Sequence, residues 1–180
     1  MIILGIDPGS RKAGFGLVEL KGRKLNYLES GVLNYDCKKD FLDRLGNIYR
    51  SCEELVQRYN PDEIAVESLI YVKSVSALAK LAQARGAMVA AFMKSHNGHV
   101  FEYSPNLVKS TVTGHGHADK TSVDKSLMML FKNQIQREFK THDESDALAI
   151  AICHSLLRGQ NGSKDQYLKG GRSLKEAFKR

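Results

Sequence analysis

Four carboxylates that stand where apolar segments end are the residues of this sequence best suited to chemistry. Asp7 follows the apolar run 1–6, and Glu67 follows the shorter apolar run 64–66. Asp143 and Asp146 precede the almost wholly apolar stretch 147–153. A carboxylate at the end of a buried element is costly to desolvate unless a cation pairs with it. In a basic chain, this arrangement predicts divalent metal ions acting on a phosphate backbone.

Each of these acids also has an ordinary structural explanation. Aspartate before Pro-Gly is common in turns, acids in the first turn of a helix interact favourably with the helix dipole, and Glu67 can be a solvated strand end. The joint arrangement favours chemistry, because apolar runs deliver all four acids. Asp143 and Asp146 are three residues apart and so share one helix face. Two magnesium ions roughly 3.5–4 Å apart can clamp a phosphodiester between such ligands.

The pattern of apolar residues predicts the elements that carry these acids. Alternation and apolar runs indicate strands, and apolar residues at steps of three or four indicate helices. The predicted order is strands at 1–6, 14–20 and 25–35, a helix at 40–58, a strand at 64–66, a helix at 74–95, a strand at 99–103, and helices from 104, at 119–132 and at 141–157. This order predicts an α/β fold, a five-stranded mixed sheet flanked by helices. Strand 64–66 should run parallel to strand 1–6, because a helix connects them.

Two helices carry further signals. Thr141 and Glu144 fit a capping box at the start of the last helix. The helix 74–95 is rich in small residues, which allow another helix to approach closely. That helix is a candidate dimer surface, although packing on its own sheet explains the same composition.

The positive charge is concentrated at one end of the chain. The 180 residues carry a formal net charge of +7, with a pI of about 9.3. Residues 158–180 hold seven basic and two acidic side chains, so this segment carries +5 and residues 1–157 carry only +2. We therefore predict a folded domain at 1–157 and a basic, flexible tail at 158–180, which can add phosphate contacts.

The cysteines and the length of the apolar runs indicate where in the cell the protein acts. The three cysteines, Cys37, Cys52 and Cys153, are scattered and lack the spacing of a zinc site. They fit a reducing cytoplasm. No uninterrupted apolar run reaches the ~18 residues of a membrane span, so we expect no membrane association.

Four short motifs occur in one order and together resemble a known family. They are GIDPGS at 5–10 with GFG at 14–16, Glu67 followed by QARG at 83–86, TGHGHADK at 113–120, and DESDALAIA at 143–151. Each motif alone is weak, but the ordered set resembles the RuvC family of bacterial Holliday junction resolvases in the RNase H-like superfamily. The resemblance covers residues 1–157 and implies an RNase H-like nuclease domain there.

The resemblance implies a specific activity. Asp7, Glu67, Asp143 and Asp146 would be the catalytic, metal-binding acids, with two Mg²⁺ ions per active site and Mn²⁺ able to substitute. A homodimer would cut a four-way DNA junction by paired symmetric nicks during homologous recombination and DNA repair, leaving 5′-phosphate and 3′-hydroxyl ends. The branch-migration proteins RuvA and RuvB are further partners that the resemblance implies.

The resemblance also implies a set of DNA-binding residues. Lys109 and Lys120 match two basic positions near the scissile phosphate, and Lys120 either stabilises the transition state or only holds the DNA. The family often places an aromatic wedge three residues after the catalytic glutamate, but here Ile70 occupies that position and Tyr71 follows it. Either or both can unstack bases. The other residues assigned to DNA binding are Lys73 and Arg85.

Three histidines and three other functions offer alternatives to this interpretation. His142 beside Asp143 is better explained as an exposed helix-start residue than as a base or ligand, and His115 and His117 lack a third soft ligand for a transition metal. The turn 113–117 is interpreted as a flexible, DNA-facing loop. An ATPase or sugar-kinase domain would need a second glycine-rich phosphate loop, and a non-catalytic junction-binding protein should lack part of the acid set. A related RNase H-like enzyme acting on RNA is the remaining alternative.

Overall fold

The sheet and the helices follow the predicted order. The computed structural model describes residues 1–69, 74–96 and 98–158. Its elements are β1 (Ile2–Asp7), β2 (Lys12–Lys21), β3 (Lys24–Asn34), α1 (Phe41–Tyr59), β4 (Glu63–Glu67), α2 (Val75–Ser95), β5 (Val100–Tyr103), α3 (Pro105–Thr113), α4 (Lys120–Leu130) and α5 (His142–Leu157). The strands form one sheet in the order β3-β2-β1-β4-β5. The predicted five-stranded mixed sheet flanked by helices is confirmed.

The pairing of the central strand β1 sets the position of two acids. It runs antiparallel to β2 and, as predicted, parallel to β4. Ile6 is in register with Val66. The next residue on each strand is a carboxylate, so Asp7 and Glu67 lie next to each other at the ends of β1 and β4.

Alternation along the strands divides the core into two layers. Ile3 and Ala65 pack with the cluster formed by α3, α4 and α5. Leu4 and Ile64 pack with the cluster formed by α1 and α2. Because side chains alternate between faces with period two, Asp7 and Glu67 share the face of Ile3 and Ala65, which is the face that α5 covers.

Glycines allow α5 to lie directly on β1 and β2. A Cβ atom added at Gly5 would overlap the backbone of Ala147, and one at Gly14 would overlap the carbonyl group of Asp143. A Cβ at Gly16 would lie 2.5 Å from the Cα of Leu148, closer than real Cβ atoms approach. The backbone of α5 therefore sits closer to these strands than any side chain would allow.

Hydroxyl side chains cap the starts of α3 and α5. Ser104 caps α3 by accepting from the Leu107 N–H, with Pro105 at the first position. Thr141 caps α5 by accepting from the Glu144 N–H at 3.4 Å. The reciprocal half of the predicted capping box is wrong, because the side chain of Glu144 is fully buried and bonds to other groups.

The last described residue, Arg158, contacts the folded part of the chain. The sequence assigned Arg158 to the tail, but its guanidinium donates to both carboxylate oxygens of Glu63 at 2.8 Å. The rest of the predicted tail, residues 159–180, lies outside the described residues. None of the helices within the described ranges has the length and apolarity that a bilayer crossing needs.

Candidate active site

Three elements bring the four predicted acids to one edge of the sheet. Asp7 and Glu67 end the neighbouring parallel strands β1 and β4 on the face that α5 covers. Asp143 and Asp146 lie in the first turns of α5, where the carbonyl group of Asp143 lies against Gly14. The negative charges of Glu67, Asp146 and Asp143 all act on Asp7. The structure therefore assembles the acid cluster that the sequence predicted.

The two strand-end acids are strongly perturbed by this assembly. Burial, and then the charges of Glu67, Asp146 and Asp143, raise the pKa of Asp7 to about 8. Burial, and then the charge of Asp146, raises the pKa of Glu67 to about 7. Both shifts mean that the cluster resists ionisation unless positive charge is supplied.

Two lysines supply part of that positive charge. Lys120, the first residue of α4, places its ammonium group 3.5 Å from Oδ2 of Asp146. Burial raises the pKa of Asp146, while the charges of Lys120 and Lys109 oppose the rise. Lys109 also acts on Glu67 from α3. Both lysines that the resemblance assigned to the scissile phosphate therefore lie within electrostatic range of the acids.

A third lysine at the site was missed by the sequence analysis. Lys12 begins β2, and its ammonium group contacts Oδ2 of Asp143. Its side chain is 46% exposed, so it reaches the site from the rim. Only the register of β2, which pairs Gly14 with Asp7, places Lys12 here. A lysine in a polar turn carries no sequence signal of this contact.

The residues present fit a divalent cation in charge and chemistry. Hard carboxylate oxygens are the ligands that Mg²⁺ prefers, and Mg²⁺ keeps several waters of its own. Oδ2 of Asp143 is buried and contacts Lys12, but it accepts no hydrogen bond of ordinary geometry within the described part of the chain. Within 1–69, 74–96 and 98–158, no three acidic, histidine or cysteine side chains already surround a common point as a metal cage. Binding of one ion by several of these carboxylates therefore requires rotation of their side chains.

Comparison with known proteins identifies the family. The family model described as crossover junction endodeoxyribonuclease RuvC matches residues 3–154, which span all four acids. The chain belongs to the RuvC family of crossover junction endodeoxyribonucleases. It is 42% identical to the RuvC of Rhizobium etli (strain CIAT 652) over 160 residues, which cover 88% of this chain and 92% of the relative. It is 44% identical to the RuvC of Trichlorobacter lovleyi over 155 residues, covering 86% and 84% of the two chains.

Solved structures agree with this assignment. Thermus thermophilus RuvC in complex with a Holliday junction substrate superposes with a TM-score of 0.78 at 30% identity, covering 86% of this chain and 93% of that one. The yeast mitochondrial Holliday junction resolvase Ydc2 superposes with a TM-score of 0.64 at 18% identity, covering 84% and 77%. The second likeness shows the shared fold alone.

The other residues that the RuvC resemblance assigned to DNA binding fall into two groups. Ile70, Tyr71 and Lys73 lie outside the described residues, so the identity of the wedge stays a prediction. The side chain of Arg85 is only 20% exposed. Its Nε donates to the carbonyl of Glu67 at 3.2 Å, and its Nη2 donates to Glu102 at 2.8 Å. Arg85 thus ties α2 to the end of β4, and direct contact with DNA remains a prediction for it.

The three histidines discussed from the sequence are exposed at the protein surface. His142 is half exposed at the start of α5, and its Nδ1 lies 3.4 Å from Oδ2 of Asp124 on α4. His115 and His117 are exposed in the turn between α3 and α4. These positions agree with the sequence interpretation of exposed histidines.

Proposed function

We propose that this chain resolves four-way DNA junctions by metal-dependent hydrolysis of the phosphodiester backbone. The observation that carries the proposal is the convergence of Asp7, Glu67, Asp143 and Asp146 from β1, β4 and α5 at one sheet edge, with two strongly raised pKa values. Titratable groups with such shifts, gathered in one place, mark functional sites. The family match and the junction-bound relative support the same substrate.

Each group at the site has a role in this proposal. The four carboxylates would hold two divalent ions, with Mg²⁺ as the expected metal and Mn²⁺ as a substitute. When bound, such ions activate water and stabilise the leaving oxygen of an in-line displacement. Lys120, beside Asp146, and Lys109 supply positive charge toward the phosphate oxygens. The products would carry a 5′-phosphate and a 3′-hydroxyl.

The outer face of α2 supports a homodimer. Ala84, Met88, Ala91 and Phe92 pack inward onto the sheet side. The opposite face carries apolar or small residues at steps of three and four, all of them exposed: Val75, Ala79, Ala82, Gly86, Ala90 and Met93. Val75 is 80% exposed and Met93 is 56% exposed. A continuous apolar stripe on a solvent-facing helix fits association with a second copy, whose two-fold symmetry matches a four-way junction.

Two further parts of the proposal concern the partners of the protein and where it acts. RuvA and RuvB are expected partners, and reconstitution of branch migration with this chain would test them. Action in the cytoplasm is likewise expected, and it agrees with the free cysteines Cys37, Cys52 and Cys153.

A substrate comparison tests the proposed function. A synthetic four-way junction, a linear duplex with the same sequence and an RNA–DNA hybrid would each be incubated with the chain and Mg²⁺. We expect paired symmetric nicks in the junction only, and DNA ligase should reseal them because the ends are a 5′-phosphate and a 3′-hydroxyl. Equal cleavage of the duplex would contradict selectivity for junctions, and preferential cleavage of the hybrid would favour an RNA-directed enzyme.

A further inference from the structure

A fully buried carboxylate lies between the two acids of α5 and takes no part in the chemistry above. Glu144 follows Asp143 and precedes Asp146 by two positions, and its side chain is 0% exposed. Because consecutive residues of an α-helix, at 3.6 per turn, point about 100° apart, Glu144 is directed away from the face that carries the two acids. It points instead toward β3 and the segment that leads into α5.

Both carboxylate oxygens of Glu144 accept hydrogen bonds from these two segments. Oε1 accepts from the Ser30 hydroxyl at 2.7 Å and from Nη2 of Arg137 at 2.5 Å. Oε2 accepts from the backbone N–H of Lys140 at 2.8 Å. Arg137 also donates to the carbonyl of Ser30 at 3.1 Å, and the Ser30 hydroxyl lies 3.0 Å from that of Tyr27. One side chain therefore joins β3, the segment between α4 and α5, and the first turn of α5.

The hydrogen bonds of this network hold the Glu144 side chain in one position. The positively charged guanidinium of Arg137 and the Ser30 hydroxyl both donate to Oε1, and the Lys140 N–H donates to Oε2. Hydrogen bonds from a charged donor are about twice as strong as those between neutral groups. The helix cap does not require this carboxylate, because the Thr141 hydroxyl already accepts from the Glu144 N–H. The network thus adds a constraint on where the first turn lies.

We propose that Glu144 is a positioning residue, which fixes the depth and rotation of the first turn of α5 so that Asp143 and Asp146 face Asp7 and Glu67. The inference rests on the proposed function, since it assigns a role in placing those four acids. Its second support is the glycine contact: Gly14 leaves no space between β2 and the carbonyl of Asp143. The first turn of α5 thus packs directly on β2 on one side, and Glu144 hydrogen-bonds it to β3 on another.

A second buried network supplies a matched control. Near the other end of α5, His154 is fully buried, with Nδ1 2.6 Å from the Tyr103 hydroxyl and Nε2 2.7 Å from Glu63. His154 lies eight residues after Asp146, which places it about 12 Å along the helix at 1.5 Å per residue. Its loss should weaken the fold and leave the first turn in place.

The test compares Glu144→Ala, Glu144→Gln and His154→Gln at a temperature where all three are folded by circular dichroism. The measurements are single-turnover cleavage of a four-way junction in Mg²⁺, junction affinity in EDTA, and Mn²⁺ affinity of the DNA-free protein by calorimetry. Loss of a group that orients metal ligands typically costs about 10–100-fold. We expect Glu144→Ala to lose about that factor in cleavage rate and Mn²⁺ affinity, with unchanged junction affinity.

The two other variants separate positioning from general stability. Glu144→Gln should recover part of both losses, because its amide oxygen still accepts from Ser30 and Arg137. His154→Gln should lower the melting temperature and change cleavage and Mn²⁺ affinity less than about twofold. If Glu144→Ala does not fold, Ser30→Ala and Arg137→Met replace it, and each should show a smaller loss in the same two measurements.

Defined results would overturn the inference. Wild-type cleavage and Mn²⁺ affinity in folded Glu144→Ala, or in both replacement variants, would show that Glu144 does not position the acids. Equal losses in His154→Gln would show that only general stability matters. Asp146→Asn separates this failure from that of the proposed function. A cleaving Asp146→Asn refutes the function itself, whereas an inactive Asp146→Asn beside a fully active Glu144→Ala refutes only the positioning role.

Discussion

At the scale of single residues, the site is a set of carboxylates that repel one another. Burial raises the pKa of Asp7 to about 8 and that of Glu67 to about 7, and neighbouring acids add to both shifts. An unfolded chain releases these protons near the ordinary values of 3.8 and 4.5. The folded chain therefore binds more protons than the unfolded chain between about pH 4 and pH 8, and its stability falls as pH rises through this window.

The first prediction follows from this loss of stability with rising pH. In EDTA, the free energy of unfolding of the wild-type chain should fall between pH 5 and pH 8, and Asp7→Asn should flatten the fall. At pH 8 the variant should be the more stable by on the order of 2 kcal/mol, with little difference at pH 5. Urea unfolding followed by circular dichroism measures this. Parallel pH profiles for the two proteins would show that Asp7 is not held in a repulsive cluster.

The second prediction concerns Lys12, whose ammonium group contacts Asp143. A divalent cation that binds Asp143 must displace this contact, so Lys12→Met should bind Mn²⁺ more tightly, by roughly 2–10-fold, as expected for loss of a partly exposed ion pair. Calorimetry of the DNA-free protein measures the affinity.

The control for Lys12 lies at the other end of the same strand. Lys21 is 3.0 Å from Glu19 and ends β2, so Lys21→Met removes the same charge and a similar ion pair far from the acids. Its Mn²⁺ affinity should equal that of the wild type. If Lys12→Met also left the affinity unchanged or weakened it, the lysine would not compete with the metal.

The sequence predicted the four acids because each stands at the end of an apolar run. It did not predict Lys12 or the role of Glu144. Lys12 lies in a polar turn, and its contact depends on strand register. Glu144 fits a capping box, and that local pattern was misleading because Ser30 lies 114 positions away and Arg137 seven positions away. Partners that depend on long-range packing leave no local signal.

At the scale of elements, the glycines of β1 and β2 determine how closely α5 approaches the sheet. Gly5 pairs with Gly16 across the two strands, and both lie under the backbone of α5. This close approach brings Asp143 and Asp146 to the level of Asp7 at the end of β1. The small residues are therefore part of the active-site geometry.

The third prediction tests this packing. Gly16→Ala would place a Cβ 2.5 Å from the Cα of Leu148, and overpacking of this kind costs about 1–3 kcal/mol. The displaced helix should also reduce junction cleavage by more than the loss of folded protein accounts for. Urea unfolding and single-turnover cleavage are the measurements.

Gly46 in α1 is the matched control. A Cβ there meets only Nη1 of Arg50 at 3.9 Å, so Gly46→Ala should stabilise the chain by about 0.5–1 kcal/mol through helix propensity. Its cleavage rate should stay at the wild-type level. Wild-type stability in Gly16→Ala would mean that α5 does not need the glycine contact.

Periodicity predicted the type and order of every element, while tertiary pairing set the ends. The sequence placed the start of β2 at Gly14, but the strand begins at Lys12, which pairs with Asn34 of β3. A strand end depends on its partner, and polar residues such as Lys12 give no apolar signal.

At the scale of the whole molecule, the exposed apolar stripe of α2 is the surface that we propose for association with a second copy of the chain. The fourth prediction is that the wild-type chain has twice the chain mass of 20.1 kDa in solution, and that Ala82→Arg is a monomer. A charge in the centre of an apolar interface is left unpaired and desolvated. Light scattering after size exclusion measures the mass.

Gln57→Arg controls for the added charge, because Gln57 is an exposed residue of α1 outside the stripe. It should remain a dimer. A monomeric wild-type chain, or a dimeric Ala82→Arg, would contradict the assignment of this face.

The central claim is that the acid cluster cuts a junction that the rest of the molecule binds. The most direct measurement compares wild type and Asp146→Asn for junction affinity in EDTA and for single-turnover cleavage in Mg²⁺. Asparagine keeps the size of the side chain and removes its charge, so junction affinity should stay within about threefold while cleavage falls by roughly 10²–10³-fold or more. Cleavage by Asp146→Asn at the wild-type rate, with junction binding intact, would contradict the claim.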